Sequence, residues 1–258
     1  MSEAFVFLGP TLPVADARAE LDAVYLPPVS AGDMFRLWLR RPKAVGIVDG
    51  YFEHVPSVWH KEIMWIMARG VHVFGSAALG ALRAAELDAF GMRGVGRVYQ
   101  AVKDGILERD DEVAVAWEGG AGACRTLSDA MVSVRATLEA AHREKIISDA
   151  TREILAAAGA ALFYRDRTWP ALLEAGKAAG GDPAGLGALR RWLPSGRIDQ
   201  QADDAVAMLR QMRDFLADKP DPLRVPWTLA NTTRWLAAKD HADRDGAGRA
   251  PSVGGHDG

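Results

Sequence analysis

The residues between 71 and 87 have the composition of a strand, a tight turn and a helix, and the turn carries groups that could do chemistry. A short apolar, β-branched run breaks at Gly75, and an Ala- and Leu-rich segment with helical spacing follows. Such a turn presents backbone N–H groups at the positive end of a helix, where they can hold an anion, a phosphate or a developing oxyanion. Ser76 stands at this turn and is a candidate nucleophile.

Three common motifs are excluded at the same turn. Gly75 and Gly80 have the spacing that opens a P-loop, but Ala81 and Leu82 replace the lysine and the hydroxyl residue that this loop requires. The sequence has no G-x-G-x-x-G dinucleotide fingerprint, and the residues around Ser76 do not form a G-x-S-x-G elbow. The alternative to a nucleophile is that Ser76 caps the helix while its small neighbours permit close packing.

A second group of polar residues follows the strand predicted at 44–48. Asp49 comes directly after that strand. Ser57 is the predicted N-cap of a helix over 57–68, and Lys61, four residues later, is expected on the same helical face. Open α/β sheets bind ligands at the carboxyl ends of their strands, so we expect Asp49, the loop at 51–57 and the turn at Gly75 and Ser76 to share one rim.

Thiol and metal chemistry have weaker support. Cys124 is the only cysteine, which excludes an intrachain disulfide and a cysteine-based metal cluster. Arg125 beside it could activate the thiol for a sulfur relay, but a lone cysteine is more typical of a packing residue. The acidic run at 108–112 could hold magnesium or cap the following segment, and it supplies too few oxygen ligands for us to predict a metal. Three histidines lack the spacing of a zinc site: His54, His60 and His72.

Composition restricts the class of protein further. The chain has 258 residues, with 49% hydrophobic and 25% charged residues, as in soluble globular proteins. A net charge of −3 argues against nucleic acid as a partner. No stretch has the length of a membrane span, and the N-terminus lacks a signal-peptide pattern, so we predict no membrane association and a cytoplasmic location.

The apolar pattern predicts the elements that position these groups. Strands are predicted at 5–8, 23–26 and 44–48, and a capping box of Ser30 and Asp33 opens a helix after the second strand. The strand–helix–strand–helix order over 44–88 predicts a βαβα unit with parallel strands. The predicted fold class is therefore α/β, with a small, largely parallel sheet followed by a mostly helical C-terminal region and a disordered tail.

The domain organisation follows from a change in pattern near residue 126. We predict an α/β core at 1–125, a helical region at 126–239 and, from its polar, Gly-rich composition, a disordered tail at 240–258. Helical spacing is found over five stretches: 127–158, 169–179, 184–193, 200–217 and 227–238.

Several short motifs, in this order and spacing, resemble the TfuA family. The motifs are FLGPTLP at 7–13, DGYF at 49–52, WHKEI at 59–63, GALRAAEL at 80–87, GM at 91–92 and DDEVA at 110–114. The resemblance covers residues 5–116 and is weaker in the helical region, where QQADDA at 200–205 looks like a degraded family segment.

The resemblance implies a partner of YcaO proteins in thioamide formation, either in ribosomal peptide natural product biosynthesis or in protein modification. The YcaO protein activates the amide oxygen with ATP, so ATP and magnesium are expected on that partner and no cofactor is expected on this chain. The family is understood to hydrolyse the C-terminal thiocarboxylate of a ThiS-like carrier, which releases sulfide, and to strengthen engagement of the substrate peptide. The alternative is a noncatalytic adaptor that docks the YcaO protein to its peptide.

The resemblance also implies a Ser–Lys pair as the hydrolytic apparatus. Lys61 matches the family motif, and the first turn of a helix disfavours its cation, as a general base requires. The nucleophile is Ser57 or Ser76, because Ala78 occupies the position at which many family members carry serine. If the family nucleophile is the one missing at Ala78, the protein has lost hydrolysis and kept its partner role.

Arg83 and Glu86 are three residues apart on one helical face and could form an ion pair. The resemblance makes them candidates for the interface with the YcaO protein or the carrier. The full set that we assign to partner binding is Asp49, His60, Glu62, Arg83, Glu86, Asp110 and Asp111.

Overall fold

A five-stranded parallel sheet forms the centre of the protein in the computed structural model, which describes residues 3–53, 55–120, 123–230, 232 and 235. The strand order is β2-β1-β3-β4-β5, and every neighbouring pair is parallel. The strands are β1 (Ala4–Phe7), β2 (Val24–Leu26), β3 (Ala44–Ile47), β4 (His72–Ser76) and β5 (Arg93–Val95). The predicted α/β class and parallel sheet are confirmed.

Short apolar runs form the inner strands because both faces of the sheet are covered. Phe5, Val45 and Val73 face one layer of helices, whereas Val6 and Phe74 face the other. The three predicted strands agree with β1, β2 and β3 to within one residue. β5 falls in a segment with three glycines, Gly91, Gly94 and Gly96, which does not have the apolar pattern of a strand.

The first face is covered by α2 (Asp33–Trp38), α3 (His60–Met67) and α4 (Leu79–Leu87). Asp33 accepts the N–H of Ser30 at 2.7 Å, so the acidic half of the predicted capping box is formed, although Gly32, with φ +88°, is the residue before the helix. The helix predicted over 57–68 is shorter than expected, because α3 begins only at His60.

The second face is covered by α1 (Val14–Glu20) and by α10 (Gln200–Ala217), with α5 (Arg97–Lys103) beside α10. Met208, Leu209 and Met212 of α10 are fully buried in this layer. The helix after residue 199 therefore completes the core that the first half of the chain begins.

Four further helices share an apolar cluster of their own: α6 (Met131–Arg143), α7 (Asp149–Ala161), α8 (Trp169–Ala178) and α9 (Pro183–Gly196). The stretch of helical spacing at 127–158 divides into α6 and α7. A turn with Lys145 at φ +61° separates them, and Ser148 caps α7 by accepting the N–H of Thr151 at 3.2 Å.

A two-stranded antiparallel sheet, β6 (Trp117–Gly120) and β7 (Ala123–Thr126), lies between the two halves of the chain. The sequence did not indicate this hairpin. Residues 227–230 are not helical, which is contrary to the helix predicted at 227–238. The rest of that stretch, apart from residues 232 and 235, and the predicted tail at 240–258 lie outside the described residues. Within the described ranges, no helix is long and apolar enough to cross a membrane.

Candidate functional site

The strand–turn–helix predicted around Gly75 is present and tightly packed. β4 ends at Ser76, Ala77 has φ +65°, and α4 begins at Leu79. A Cβ at Gly75 would lie 2.2 Å from the Gly80 carbonyl oxygen, and one at Gly80 would lie 1.8 Å from the carbonyl oxygen of Ile47. Both glycines are required because the first turn of α4 lies directly on the strand ends.

Ser76 is fully buried and faces away from this turn. Its hydroxyl lies 2.8 Å from the Val95 carbonyl and 2.9 Å from the Asp204 carbonyl, and it is the donor to both. The residue that precedes α4 is Ala78, which provides no side-chain cap, so the prediction that Ser76 caps the helix is wrong. Its hydroxyl instead joins β4 to β5 and α10, an arrangement that sequence spacing cannot indicate.

Ser57 lies three residues before the start of α3. The prediction that it is the N-cap is wrong, because Trp59 holds that position and the Glu62 carboxylate accepts the Trp59 N–H at 3.4 Å. Since the helix does not extend back to Ser57, helical spacing does not place Ser57 on one face with Lys61. The Ser57 hydroxyl accepts a hydrogen bond from Arg83 Nη2 at 3.2 Å instead.

A cavity of about 800 Å³, here called the rim cavity, opens at the carboxyl ends of β1, β3 and β4. Its position confirms that Asp49, Ser57 and the start of α4 share one rim of the sheet. Its walls combine aromatic and aliphatic side chains with a few charged ones. The residues that line it are Pro10, Asp49, Gly50, Tyr51, Phe52, Glu53, Val55, Ser57, Ala78, Leu79, Leu82, Arg83, Asp110, Val113, Ala114, Val115, Ala116, Trp117, Gly119, Leu127, Tyr164 and Arg165.

Arg83 connects the cavity wall to the protein surface. Its Nη1 donates to Glu86 Oε2 at 2.7 Å, and His60 Nε2 lies 2.6 Å from the same oxygen. The Arg83 side chain is only 15% exposed, and its buried Nε has no hydrogen-bond partner among the described residues. Four residues singled out from the sequence, Ser57, His60, Arg83 and Glu86, thus form one continuous polar network.

Lys61 has a different environment. Its Nζ lies 3.5 Å from Thr232 Oγ1 and 5.3 Å from the centre of the Trp235 ring. Lys61 is not among the residues that line the rim cavity, and the described residues show no hydrogen bond between Lys61 and Ser57. The Ser–Lys pair implied by the resemblance is therefore not assembled in this structure.

Asp49 is buried at the base of the rim cavity, with an exposed fraction of 3%. Its carboxylate accepts the Gly9 N–H at 2.7 Å, the Thr11 N–H at 3.2 Å and the Thr11 hydroxyl at 2.6 Å. Burial nevertheless raises the pKa of Asp49, because the desolvation of the charged form outweighs these donors. Asp49 therefore fixes the loop after β1 against the cavity.

Glu62 is also buried, with an exposed fraction of 2%, and accepts the Gly32 N–H at 2.7 Å. Burial raises the pKa of Glu62 from 4.5 to about 7. Its carboxylate joins the start of α3 to the loop before α2. The assignment of Glu62 to partner binding stays a prediction.

The acidic run forms a 3-10 helix at Asp110–Glu112, and its carboxylates have separate partners. Asp111 pairs with Arg109 at 2.8 Å and with the fully buried Arg167 at 2.9 Å. Glu112 pairs with Arg135 at 2.8 Å, whereas Asp110 lines the rim cavity. The Asp111 side chain is 23% exposed and already pairs with two arginines, and its assignment to partner binding stays a prediction.

Sequence reasoning missed the segment after α7. Tyr164 and Arg165 line the rim cavity, and the Tyr164 hydroxyl donates to Glu53 Oε2 at 2.9 Å. These residues follow a helix of the second half of the chain, and no local pattern connects them with a strand end more than 100 residues earlier.

Cys124 lies half-buried on β7, and burial raises the pKa of its thiol. A raised thiol pKa reduces the thiolate fraction, which a sulfur relay would need. His54 lies outside the described residues.

The fold and the cavity define an α/β protein with a doubly covered parallel sheet and a ligand-sized cavity at the carboxyl ends of its strands. Residues 49–168 match the model of the family described as TfuA-like protein, which confirms the assignment to the TfuA family over that segment. The matched segment includes all the residues that line the rim cavity except Pro10. No curated protein matches the chain. TfuA proteins act with YcaO proteins, and this assignment supports a role related to YcaO-associated thioamidation.

Proposed function

We propose that this protein hydrolyses the C-terminal thiocarboxylate of a ThiS-like sulfur carrier and so supplies sulfide to a YcaO protein that thioamidates a substrate peptide. The observation that carries the proposal is the Ser57 hydroxyl, held by the Arg83 guanidinium in the wall of the rim cavity. A chain end that carries a negative charge can pair with Arg83 or Arg165, the cations of a largely apolar lining that also contains three carboxyl residues, Asp49, Glu53 and Asp110.

The proposed reaction is acyl transfer in two steps. Ser57 Oγ attacks the carbonyl carbon of the thiocarboxylate, the C–S bond breaks, and sulfide leaves while an ester to Ser57 forms. Water then hydrolyses the ester and leaves the carrier with an ordinary carboxylate. Arg83 neutralises the thiocarboxylate and stabilises the developing oxyanion, because the Gly80 and Ala81 N–H groups in the first turn of α4 already donate to the Val48 and Ala78 carbonyls.

Lys61 is the proposed base that takes the proton of Ser57. Its side chain must then turn from Thr232 and Trp235 toward the cavity, a movement that four rotatable bonds permit. In this proposal, carrier binding near the start of α3 accompanies the movement.

A noncatalytic adaptor is the second candidate. Ala78, where many family members carry serine, and the separation of Lys61 from Ser57 both favour it. In this case the rim cavity binds a partner, and the sulfide comes from another source.

A reconstituted thioamidation assay distinguishes these functions. It contains the YcaO protein, its peptide, ATP, magnesium and either the thiocarboxylated carrier or free sulfide, and it measures thioamide by mass spectrometry. We expect Ser57→Ala and Lys61→Ala to abolish product from the carrier while free sulfide restores it. Matched controls are Ser195→Ala and Lys43→Ala, since both residues are exposed and neither lines the rim cavity. If the unmodified protein forms product from free sulfide and none from the carrier, the adaptor function is correct.

A further inference from the structure

The hairpin of β6 and β7 has an edge without a neighbouring strand. In the described part of the chain it forms a two-stranded sheet of its own. Isolated two-stranded hairpins are marginally stable, and an edge strand presents unpaired N–H and C=O groups to any extended chain that approaches it.

The register shows which backbone groups of β6 are unpaired. Leu127 donates its N–H to the Ala116 carbonyl at 2.8 Å, so the backbone groups of Ala116 face β7. This orientation alternates along an antiparallel pair. The backbone N–H and C=O groups of Glu118, which pairs with Arg125, therefore face β7 as well. Trp117 and Gly119 direct the same groups to the open edge.

The rim cavity lies on the β6 side of the hairpin. Trp117 and Gly119 both line the cavity, whereas Cys124, Arg125 and Thr126 of β7 do not. Exposure falls along the chain in the direction of the cavity floor: Gly119 is exposed, Trp117 is half-buried and Val113 is 6% exposed. The edge thus runs from the mouth of the cavity to its interior, where Val113 packs with Leu82 of α4.

We propose that β6 binds the C-terminal tail of the sulfur carrier as an added strand, a binding mode that rests on the function proposed above. An enzyme that acts on a chain end must admit that end first, so the tail enters at Gly119 and its terminus points toward Val113. It therefore runs antiparallel to β6 and ends beside α4, which carries Arg83. The negative terminus and the guanidinium are complementary in charge.

The mouth of the cavity suits the body of a small carrier protein. Leu127 and Val55 line the cavity and are 43% and 40% exposed, respectively. Strand addition derives its affinity from main-chain hydrogen bonds, and alternate side chains contribute specificity. The tail is accordingly recognised mainly by its extended backbone, and Trp117 contacts its alternate side chains.

A scan of backbone N-methyl groups tests this binding mode. The probes are synthetic ten-residue peptides with the sequence of the carrier C-terminus and an ordinary carboxylate, each methylated at one successive amide, and the full chain is titrated with each. Each methyl group that faces β6 removes one main-chain hydrogen bond, and we expect the Kd to rise roughly tenfold at two positions, separated by one residue, whose N–H groups face Trp117 and Gly119. The other positions are the matched controls and should change little. A uniform effect, or no effect at any position, would overturn the proposal.

Amide exchange on the full chain gives a second measurement. With the unmethylated peptide bound, the N–H groups of Trp117 and Gly119 should exchange at least about tenfold more slowly, while the already paired Glu118 changes little. Unchanged exchange at Trp117 and Gly119 in the bound state would refute strand addition.

These results separate the binding mode from the hydrolysis, because the probe peptide cannot release sulfide. If the Kd rises only at the methylated positions that face β6, but the intact carrier releases no sulfide, the binding mode is retained and the proposed hydrolysis is refuted. Sulfide release without this pattern of Kd values would refute the binding mode and retain the hydrolase.

Discussion

Buried carboxylates hold the loops around the rim cavity by accepting backbone N–H groups. Asp49 binds Gly9 and Thr11, and Glu62 binds Gly32 and Trp59. The sequence indicated acidic residues at both places but assigned them to a partner. A sequence shows which residue types follow a strand, whereas three of the donors that face them, Gly9, Thr11 and Gly32, come from loops 30 to 40 positions away.

Replacement of Glu62 by Gln should alter how stability depends on pH. The folded-state pKa of Glu62 lies near 7, above the ordinary 4.5, because the folded protein favours the protonated carboxyl group. The resulting contribution to folding stability is fully present below pH 4.5 and is lost as the pH rises through 7. We expect the unmodified protein to lose on the order of 1–3 kcal/mol more between pH 4.5 and 7.5 than Glu62→Gln. Urea unfolding at several pH values measures this difference, and parallel curves for the two proteins would contradict it.

Replacement of Ser57 by Ala should leave stability almost unchanged. Ser57 lies outside α3 and accepts one hydrogen bond from Arg83, so we expect a change within about 0.5 kcal/mol. Ser148, which does cap a helix, is the matched control, and Ser148→Ala should cost roughly 1 kcal/mol. Equal losses for the two variants in urea unfolding would show that Ser57 has a capping role after all.

Among the elements, those with strong local patterns were predictable and those fixed by distant contacts were not. The strands at β1 and β3 are continuous apolar runs, and β4 is followed by an obvious turn. The hairpin of β6 and β7 contains Glu118, Arg125 and several glycines, and its strands pair only with each other, so it lacks the pattern of a buried strand. β5 has three residues and depends on pairing with β4.

Arg167 connects the acidic 3-10 helix to the end of α7. It is fully buried and donates to the Gly159, Asp111 and Leu162 carbonyls at 3.1, 3.1 and 3.3 Å, and to the Asp111 carboxylate at 2.9 Å. Asp110 and Tyr164, which lie close in the chain to the residues that Arg167 joins, both line the rim cavity. This connection therefore also supports one wall of the cavity.

Loss of this arginine should therefore be costly. Arg167→Met removes all of these donors and leaves buried acceptors unpaired, and we expect the free energy of unfolding to fall by roughly 3–5 kcal/mol. Arg190→Met is the matched control, because the Arg190 side chain is 66% exposed and its pair with Glu174 is long at 3.6 Å, so the change should stay within about 0.5 kcal/mol. Similar stabilities for the two variants in urea unfolding would contradict the structural role of Arg167.

At the scale of the whole molecule, the two halves of the chain share one core. A Cβ at Gly46 of β3 would lie 2.9 Å from atoms of both Met208 and Met212, so α10 packs directly on the central strand. The predicted boundary at residue 125 marks a change in local pattern, and periodicity within α10 could show an apolar face without showing that the sheet is its partner.

A fragment of residues 1–125 should consequently fail to fold alone. Without α10, the second face of the sheet loses Met208, Leu209 and Met212, each worth roughly 1.5–3 kcal/mol of burial. The total is comparable with the stability of a typical domain. Circular dichroism and thermal unfolding of the fragment, with residues 1–239 as the control, measure this. A cooperative transition for the fragment would establish residues 1–125 as an independent domain.

The central claim is that this protein releases sulfide from a thiocarboxylated carrier through Ser57. The most direct measurement is the initial rate of sulfide release from the purified carrier, without the YcaO protein, in the presence of the unmodified protein or Ser57→Ala. We predict release well above a buffer control and a decrease of roughly 100-fold or more for Ser57→Ala, because an acyl transfer without its nucleophile retains only binding and oxyanion stabilisation. No release above buffer, or equal release by both proteins, would contradict the claim.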